Sequence, residues 1–387
     1  MIRSRFQQID VDDYALPAEV VGRVISPALV VYLDRVRDNL SRVIELAAGD
    51  PARWRPHIKT IKIPEIFVEM TRAGLRNFKC ATTREAMHLL HALDQEGIRQ
   101  ADLLLAYPLI GPALERLSYL ARVQERTRVS VLCEDPAAVA SIPEVLSIFI
   151  DVNPGMNRTG VPVSDEMTIL DIARQAGSRF RGLHFYDGHV HGTGAATRRR
   201  MAFEGYDRLM ELVSRVQRDG MSVGEIITSG TPSFPYALVY EPFRTLPATI
   251  HRVSPGTVVF HDFRSEQELE DLELKPAALV FSRVVSHPAD DIVTCDAGSK
   301  SIAAEAGDPC AFALGHPALE ALTPSEEHLP FRVSEGPRPE RGSQLFLVPR
   351  HVCPTVNLAE QALLIENGRL REVVPVRARA HDLFVDG

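Results

Sequence analysis

From about residue 27 the sequence alternates short apolar runs with longer amphipathic ones, and this rhythm limits the available folds more than any other feature. Residues 28–33 (Ala-Leu-Val-Val-Tyr-Leu) form an apolar run of buried-strand length, β-branched at its centre. Residues 35–48 then place Val36, Leu40, Val43, Ile44 and Ala47 at helical spacing, with Asp34 set to cap the helix. The pattern repeats. Strands are predicted near 54–59, 77–81, 102–107, 128–133, 147–152, 182–186 and 225–228, and a last one at 257–260. Helices are predicted near 64–74, 84–96, 112–124, 136–141, 165–177 and 198–219. Strands alternating with helices imply βα units and a parallel sheet. Roughly eight such units fit a closed (β/α)8 TIM-type barrel, here over residues 26–265. A doubly wound open sheet is the rival, but no Gly-x-Gly-x-x-Gly follows the first strand and there is no Walker-type loop.

After residue 265 the texture changes. Strand-like runs at 278–285, 292–294, 344–348, 362–365 and 372–376 replace the helical patterns. Asn367-Gly368 between the last two is a strong hairpin signal. Residues 266–387, joined by residues 1–25, are expected to form a second, smaller, mostly-β domain.

Composition narrows the functional classes. Hydrophobic residues make up 45% and charged residues 24% of the 387, an ordinary globular balance able to bury a core. The net charge of −8 argues against nucleic acid and anionic membranes as partners. No apolar run reaches the roughly 18 residues of a membrane span. Residues 1–16 show no apolar core of a secretory signal. Five widely spaced cysteines without a Cys-x-x-Cys point to a reducing cytoplasm rather than a disulfide framework.

Five segments bear chemistry. Arg55-Pro56-His57-Ile58-Lys59-Thr60 ends the second predicted strand, where barrels carry functional groups. A lysine there can lose its charge on burial and bond a carbonyl cofactor; the bland reading is a solvated surface lysine. Thr228-Ser229-Gly230-Thr231-Pro232-Ser233 and Ser254-Pro255-Gly256-Thr257 are Ser/Gly/Thr loops after late strands, a place where barrels bind phosphate. Each alone would pass for an ordinary turn. The segment from Asp151 to Gly160 brings Arg158 to the barrel mouth, and by itself reads as a capped turn with a surface arginine. Tyr186-Asp187-Gly188-His189-Val190-His191 offers His189 and His191 for acid–base work or metal ligation, and standing alone it reads equally as two loop histidines in water. Finally, His351-Val352-Cys353 in extended chain would put imidazole and thiol on one face. Two such ligands suit an open, catalytic zinc site rather than a closed structural one, and by itself the pair also reads as a buried cysteine beside a satisfied histidine.

Taken together these segments resemble the D-threonine aldolase and D-serine dehydratase family of pyridoxal-phosphate enzymes, which have the alanine-racemase-like barrel of fold type III. The resemblance runs from Ser26-Pro27-Ala28 to His351-Val352-Cys353-Pro354, with Asp296-Ala297-Gly298-Ser299-Lys300 among its most specific pieces. It implies that Lys59 carries the cofactor and that Arg158 lies near the pyridine nitrogen. It implies phosphate binding by Ser229, Gly230, Thr231, Gly256 and Thr257. His57 and Tyr186, at the same strand ends, are counted with the cofactor-binding residues. His351 and Cys353 match two metal ligands, for zinc or manganese, and a homodimer is implied. The sequence departs from the family at Ile61, where a histidine is common, and at Val258, where a tyrosine is common.

The implied activity is a metal-assisted lyase for β-hydroxy D-amino acids. Retro-aldol cleavage would release glycine and an aldehyde, with Lys59, His189 and His191 as catalytic residues. The alternative is a dehydratase of D-serine or 3-hydroxy-D-aspartate type, giving a keto acid and ammonia. His351-x-Cys353 resembles the dehydratase branch, whereas the His189/His191 loop resembles the aldolase branch. A non-catalytic pyridoxal-phosphate carrier would need neither the β domain nor the His/Cys pair. A racemase would need a second base, typically a tyrosine of the β domain, and residues 266–387 contain no tyrosine.

Overall fold

In the computed structural model, which describes residue 6 and residues 9–192 and 194–383, the chain divides into two compact units. Of the described residues, one unit is built from 43–59 and 64–256, with 380–383; the other comprises those up to 42, the short piece 60–63, and 257–379.

The unit built on 64–256 carries a parallel sheet. Its strands are β2 (Asn77–Cys80), β3 (Ala101–Pro108), β4 (Thr127–Cys133), β5 (Ser147–Asn153), the two-residue β6 (Val161–Pro162), β7 (Phe180–Phe185), β8 (Glu225–Thr228) and β9 (Ile250–Val253). They pair in the order β2-β3-β4-β5-β7-β8-β9, with β6 attached to β5. The segment 54–57 closes the ring. Trp54 bridges Val253 of β9 and His57 bridges Lys79 of β2, both in parallel. The intervening helices follow their local signals. Thr82 caps the helix Thr83–Gln95 by accepting from the Glu85 amide, while Glu85 accepts the Ala81 amide. Asp165 caps Glu166–Ala176, and Pro112 opens Pro112–Val123 directly after Gly111.

Inside the ring, side chains of alternate residues stack in layers. Arg55, Asp102, Arg181, Glu225 and Arg252 form a charged layer toward the strand N-termini. Leu104, Leu132, Phe149 and Ile227 form an apolar layer. Two residues on from Phe149, Asp151 comes together with Lys79 and His184 in a polar layer on the C-terminal side.

The other unit is mostly β. Its strands are β1 (Ala28–Tyr32), β10 (Ala278–Ala289), β11 (Ile292–Cys295), β12 (Ala311–Ala313), β13 (Leu319–Ala321), β14 (Leu329–Val333), β15 (Gln344–Pro349), β16 (Gln361–Glu366) and β17 (Arg369–Pro375). The order is β13-β14-β11-β10-β1-β16-β17, with β15 on β10 and β12 on β15. Only β1–β16 is parallel. The β16–β17 hairpin turns at Asn367 and Gly368, both at positive φ, as the sequence predicts. Phe6, Tyr14, Leu16 and Val20 pack into this unit's core with Phe281 and Phe346. Residues 1–5 and 7–8, part of the segment expected to join it, lie outside the described residues.

Four expectations need correction. The run 28–33 belongs to the β unit, where its strand pairs with β10 and β16 and its residues are buried on both faces, which is why it is apolar throughout. The boundaries consequently fall near 42 and 257, not at 26 and 265. The last barrel strand is Ile250–Val253, whereas Thr257–Val259 is a buried 3-10 turn; a short apolar run does not distinguish the two. Asp34 lies inside the first turn of Leu33–Leu46 rather than capping it, and its Oδ2 accepts the Asn367 amide. Among the described residues, no helix is long and apolar enough to cross a membrane.

Candidate active site

Lys59 sits in the 3-10 turn Ile58–Thr60, directly after the closing segment of the ring. Its amide donates to His57 Nδ1 at 3.3 Å. His57 thus stands at the strand end as expected, where it shapes the turn that carries Lys59. Beside it rises Lys79 of β2, which the sequence reading passed over. Lys79 is 1% exposed and its Nζ lies 3.3 Å from His184 Nε2. His184 Nδ1 lies 2.7 Å from Asp151 Oδ1, and Thr159 donates to Asp151 Oδ2 at 2.8 Å. Burial, then Lys59, Arg158 and Arg55 around it, bring Lys79 down to about 7 against the pull of Asp151. Burial would raise Asp151, but the hydrogen bonds from His184 and Thr159 and the charge of Arg158 hold it below the usual carboxylate range. Burial and Lys79 lower His184. A lysine inside an otherwise apolar buried strand (Phe78-Lys79-Cys80) is the signal that could have marked this residue, since a lone charge is not buried without a partner.

Tyr186 lies at the exit of β7 between two cations, with Arg158 4.8 Å and Lys79 5.4 Å from its ring centre. Arg158 itself is exposed. Glycines make room for the ring. A Cβ on Gly188 would overlap it, and one on Gly230 would come within 3.0 Å. A Cβ on Gly256 would overlap the His57 carbonyl.

The loop after β8 is braced by Asp187. Its Oδ1 accepts from Ser233 Oγ at 2.6 Å and the Gly230 amide at 3.2 Å, and its Oδ2 accepts from Tyr206 at 2.8 Å. Burial raises Asp187 against these bonds. Ser229 is buried at positive φ and donates to the Thr228 carbonyl, and Thr231 is nearly buried beside it. Ser229, Gly230 and Thr231 follow β8 and Gly256 follows β9, and glycine at 230 and 256 lets the Tyr186 ring and the His57 carbonyl approach the backbone closely. The amides and hydroxyls of these two neighbouring loops are a donor set that suits a phosphate, and Lys59 follows the adjoining segment 54–57.

The two loop histidines are not brought together there. His189 lines a cavity of about 130 Å³ with Phe185, Asp187, Met201, Gly205 and Arg208, on the helix side of β7. Its Nδ1 is buried without a hydrogen-bond partner. His191 is exposed.

In the β unit, His351 and Cys353 do meet, though not as alternate residues of a strand. His351 precedes the helix Val352–Leu358, whose first turn carries Cys353. Asp262 accepts from His351 Nδ1 and from the Val352 amide, both at 2.9 Å. Thr60 Oγ1 and Thr257 Oγ1 lie 3.0 and 3.5 Å from Cys353 Sγ, so Thr257 faces the thiol. Burial opposes the charged imidazole, but Cys353 and Asp262 beside it outweigh burial and lift His351 to about 10. Among the described residues, no group of three or more His, Cys, Asp or Glu converges as a metal centre. The pair is an imidazole steered by a carboxylate next to a thiol, a donor set that fits an open metal site with its orienting partner already in place.

With this geometry, comparison with known proteins is decisive. The family described as "Alanine racemase, N-terminal domain" matches residues 31–260, more than half of the chain. The chain belongs to that family. The family described as "Putative serine dehydratase domain" matches residues 277–365 of this alanine-racemase-like chain. It is 29% identical to D-threonine aldolase of Arthrobacter sp over 94% of this chain and 95% of that protein. It is 23% identical to D-threo-3-hydroxyaspartate dehydratase of Delftia sp. (strain HT23), over 85% and 91% of the two chains. The crystal structure of D-threonine aldolase from Filomicrobium marinum superposes with a TM-score of 0.81 at 25% identity, covering 92% of this chain and 95% of that one. The resemblance drawn from the motifs is thus borne out for family, fold and enzyme class.

Proposed function

We propose that this alanine-racemase-like chain is a pyridoxal-phosphate-dependent lyase that cleaves β-hydroxy D-amino acids of D-threonine type into glycine and an aldehyde. The observation that supports the reading is Lys59 in the turn after segment 54–57, which bridges β9 and β2, with the Ser/Gly/Thr loops following β8 and β9. Lys59 would hold the cofactor's carbonyl, and the loops at Ser229–Thr231 and Gly256 its phosphate. Bound there, pyridoxal phosphate supplies an electron sink for the pair released from the breaking Cα–Cβ bond. Tyr186 and Arg158 offer a flat face and a positive charge to orient a planar, anionic group. The similarity to the two D-threonine aldolases supports cleavage over the other outcomes.

His351 and Cys353, oriented by Asp262, would hold a divalent metal, zinc or manganese, whose contribution is Lewis acidity. The resemblance also supports a homodimer, testable by sedimentation. Five free cysteines, four of them buried, support a cytoplasmic setting.

A second reading rests on Cys353, the thiol that resembles the dehydratase branch. It makes the enzyme a dehydratase releasing ammonia and a keto acid, in line with the similarity to D-threo-3-hydroxyaspartate dehydratase. One experiment separates the two. Purified enzyme with pyridoxal phosphate and Mn²⁺ or Zn²⁺ is given D-threonine, D-serine and 3-hydroxy-D-aspartate, and glycine, ammonia and keto acid are quantified. Glycine with aldehyde supports cleavage; ammonia without glycine overturns it.

A further inference from the structure

We propose that Lys79, His184 and Asp151 form a proton relay on the inner wall of the barrel, with Lys79 Nζ as the end that exchanges protons with the site around Lys59. The catalytic use of the relay rests on the lyase reading above; its existence does not.

The geometry is a continuous wire. Asp151, held ionised, only accepts. His184 Nδ1–H therefore donates to Asp151 Oδ1 at 2.7 Å, which leaves Nε2 as the acceptor for Lys79 Nζ at 3.3 Å. All three residues are at most 3% exposed, so bulk water does not bypass the chain. The groups facing Lys79 come from each neighbouring element. Lys59 and Arg55 lie on the closing segment, Asp151 and Arg158 on β5 and its loop, and His184 and the Tyr186 ring on β7 and its exit. Three cations against one carboxylate, in a dry setting, make Lys79 release its proton near neutrality. An amine poised this way is suited to take and return a proton at working pH.

Retro-aldol cleavage needs such a store. The O–H bond of the substrate breaks and its electron pair becomes the aldehyde π bond. The Cα–Cβ pair passes to Cα, which must then gain a proton. One proton leaves oxygen and one reaches carbon, with no net oxidation. Neutral Lys79 can hold that proton between the two events, with His184 and Asp151 steadying the cation. His189, which lines the cavity on the helix side of β7, is not needed for this role.

Two measurements test the proposal. In cofactor-free protein, the ε-amines are labelled by ¹³C reductive methylation and titrated by NMR. A resonance with a midpoint near 7 should be absent in Lys79→Met and shift by at least about one pH unit in His184→Gln, the relay's other contact. In the cofactor-loaded enzyme, the pH midpoint of the visible band and the acidic limb of kcat should shift in Lys79→Met and His184→Gln. kcat should fall roughly 100-fold or more in Lys79→Met. Lys79→Arg should not restore it, because arginine keeps the charge but releases no proton; rescue by arginine would reduce Lys79 to a fixed charge and overturn the relay. A Lys79 amine titrating at its ordinary alkaline value, or unchanged pH profiles in Lys79→Met, also overturns it. A wild type that binds no pyridoxal phosphate sinks the lyase reading instead, and the titration of the free protein then decides the relay by itself.

Discussion

Arg55 and Glu225 meet as a two-pronged ion pair inside the barrel, with Nε 2.8 Å from Oε1 and NH2 2.9 Å from Oε2. Arg55 also donates to Asp102 Oδ1 at 2.9 Å. The pair ties the closing segment 54–57 to β8. Glu225→Gln would leave a fully buried guanidinium short of one charge. It should destabilise the protein by roughly 3–5 kcal/mol in urea unfolding. Replacing Arg55 and Glu225 together with methionines should recover part of that loss. A change below about 1 kcal/mol in Glu225→Gln would mean that the pair does not hold the ring shut.

His251 gives a prediction for acid. It stacks on Phe243 at a centroid distance of 4.0 Å and shares a hydrogen bond with Thr228 Oγ1 at 2.8 Å. Burial, with Arg53 and Arg252 nearby, brings it from the ordinary 6.5 down to about 3. Between these values the unfolded chain takes up a proton that the folded one refuses. Stability is therefore lost as pH falls from about 6.5 toward 3, with a slope of about 1.4 kcal/mol per pH unit from this residue. His251→Gln should flatten the pH dependence of urea midpoints in that window; an unaltered slope would assign acid sensitivity elsewhere.

Lys59 should carry the cofactor. After incubation with pyridoxal phosphate and borohydride, peptide mass spectrometry should find the adduct at Lys59. Lys59→Ala should lose the visible band and turnover while keeping its circular dichroism. An adduct confined to Lys79 would move the assignment to β2.

Gly230 tests the phosphate loop. A bulky residue there meets the Tyr186 ring, since even a Cβ approaches it to 3.0 Å. Gly230→Val should weaken pyridoxal phosphate binding about tenfold or more, equivalent to about 1.4 kcal/mol, and pyridoxal binding less. Equal losses for both ligands would mean that the loop does not hold phosphate.

The metal pair has an adjustable support. Asp262→Asn removes the carboxylate that orients His351 and should lower metal affinity about 10- to 100-fold. EDTA should abolish turnover but leave the visible band, and a divalent metal should restore activity. Cys353→Ala should mimic the chelated enzyme, while Cys353→Asp should move preference from zinc toward manganese. Full activity without metal would remove it from the mechanism.

The barrel was readable because its strands and helices differ in hydrophobic period, so β2, β3, β4, β5, β7 and β8 fall where the sequence predicts, while the two-residue β6 is too short to leave a signal and 136–141 winds as a 3-10 helix. What misled was identity of texture. β1 is apolar on both faces, as a barrel strand is, yet it is the partner of β10 and β16. Strands as short as Ala311–Ala313 and Leu319–Ala321 carry too few residues to show alternation. In the site, Lys59 and the Ser/Gly/Thr loops announce themselves by composition at strand ends. Lys79, His184, Asp187 and Asp262 do not, because their meaning comes from partners 19 to 105 residues away in sequence. His189 and His191 sit on a strand-end loop, but the turn at Gly188 sends His189 toward the helix side of β7.

The closing segment has a consequence for motion. Seven strands of the ring are joined by runs of ladder bonds, whereas 54–57 has the Arg55 amide on Val253 and the Lys79 amide on Pro56, each at 2.9 Å, and is otherwise held by side chains: Arg55 on Glu225 and Asp102, Ser254 on the Arg55 carbonyl and Trp54 on the Pro255 carbonyl. A member held by so few backbone bonds is a latch rather than a stave. Opening there must break the buried Arg55–Glu225 pair, so exchange of the Arg55 and Lys79 amides should quicken in Glu225→Gln. Lys59 rides on that latch. The lysine proposed to carry the cofactor is thus attached to a part of the ring whose hold rests on buried side-chain pairs, so its mobility should follow the Arg55–Glu225 contact.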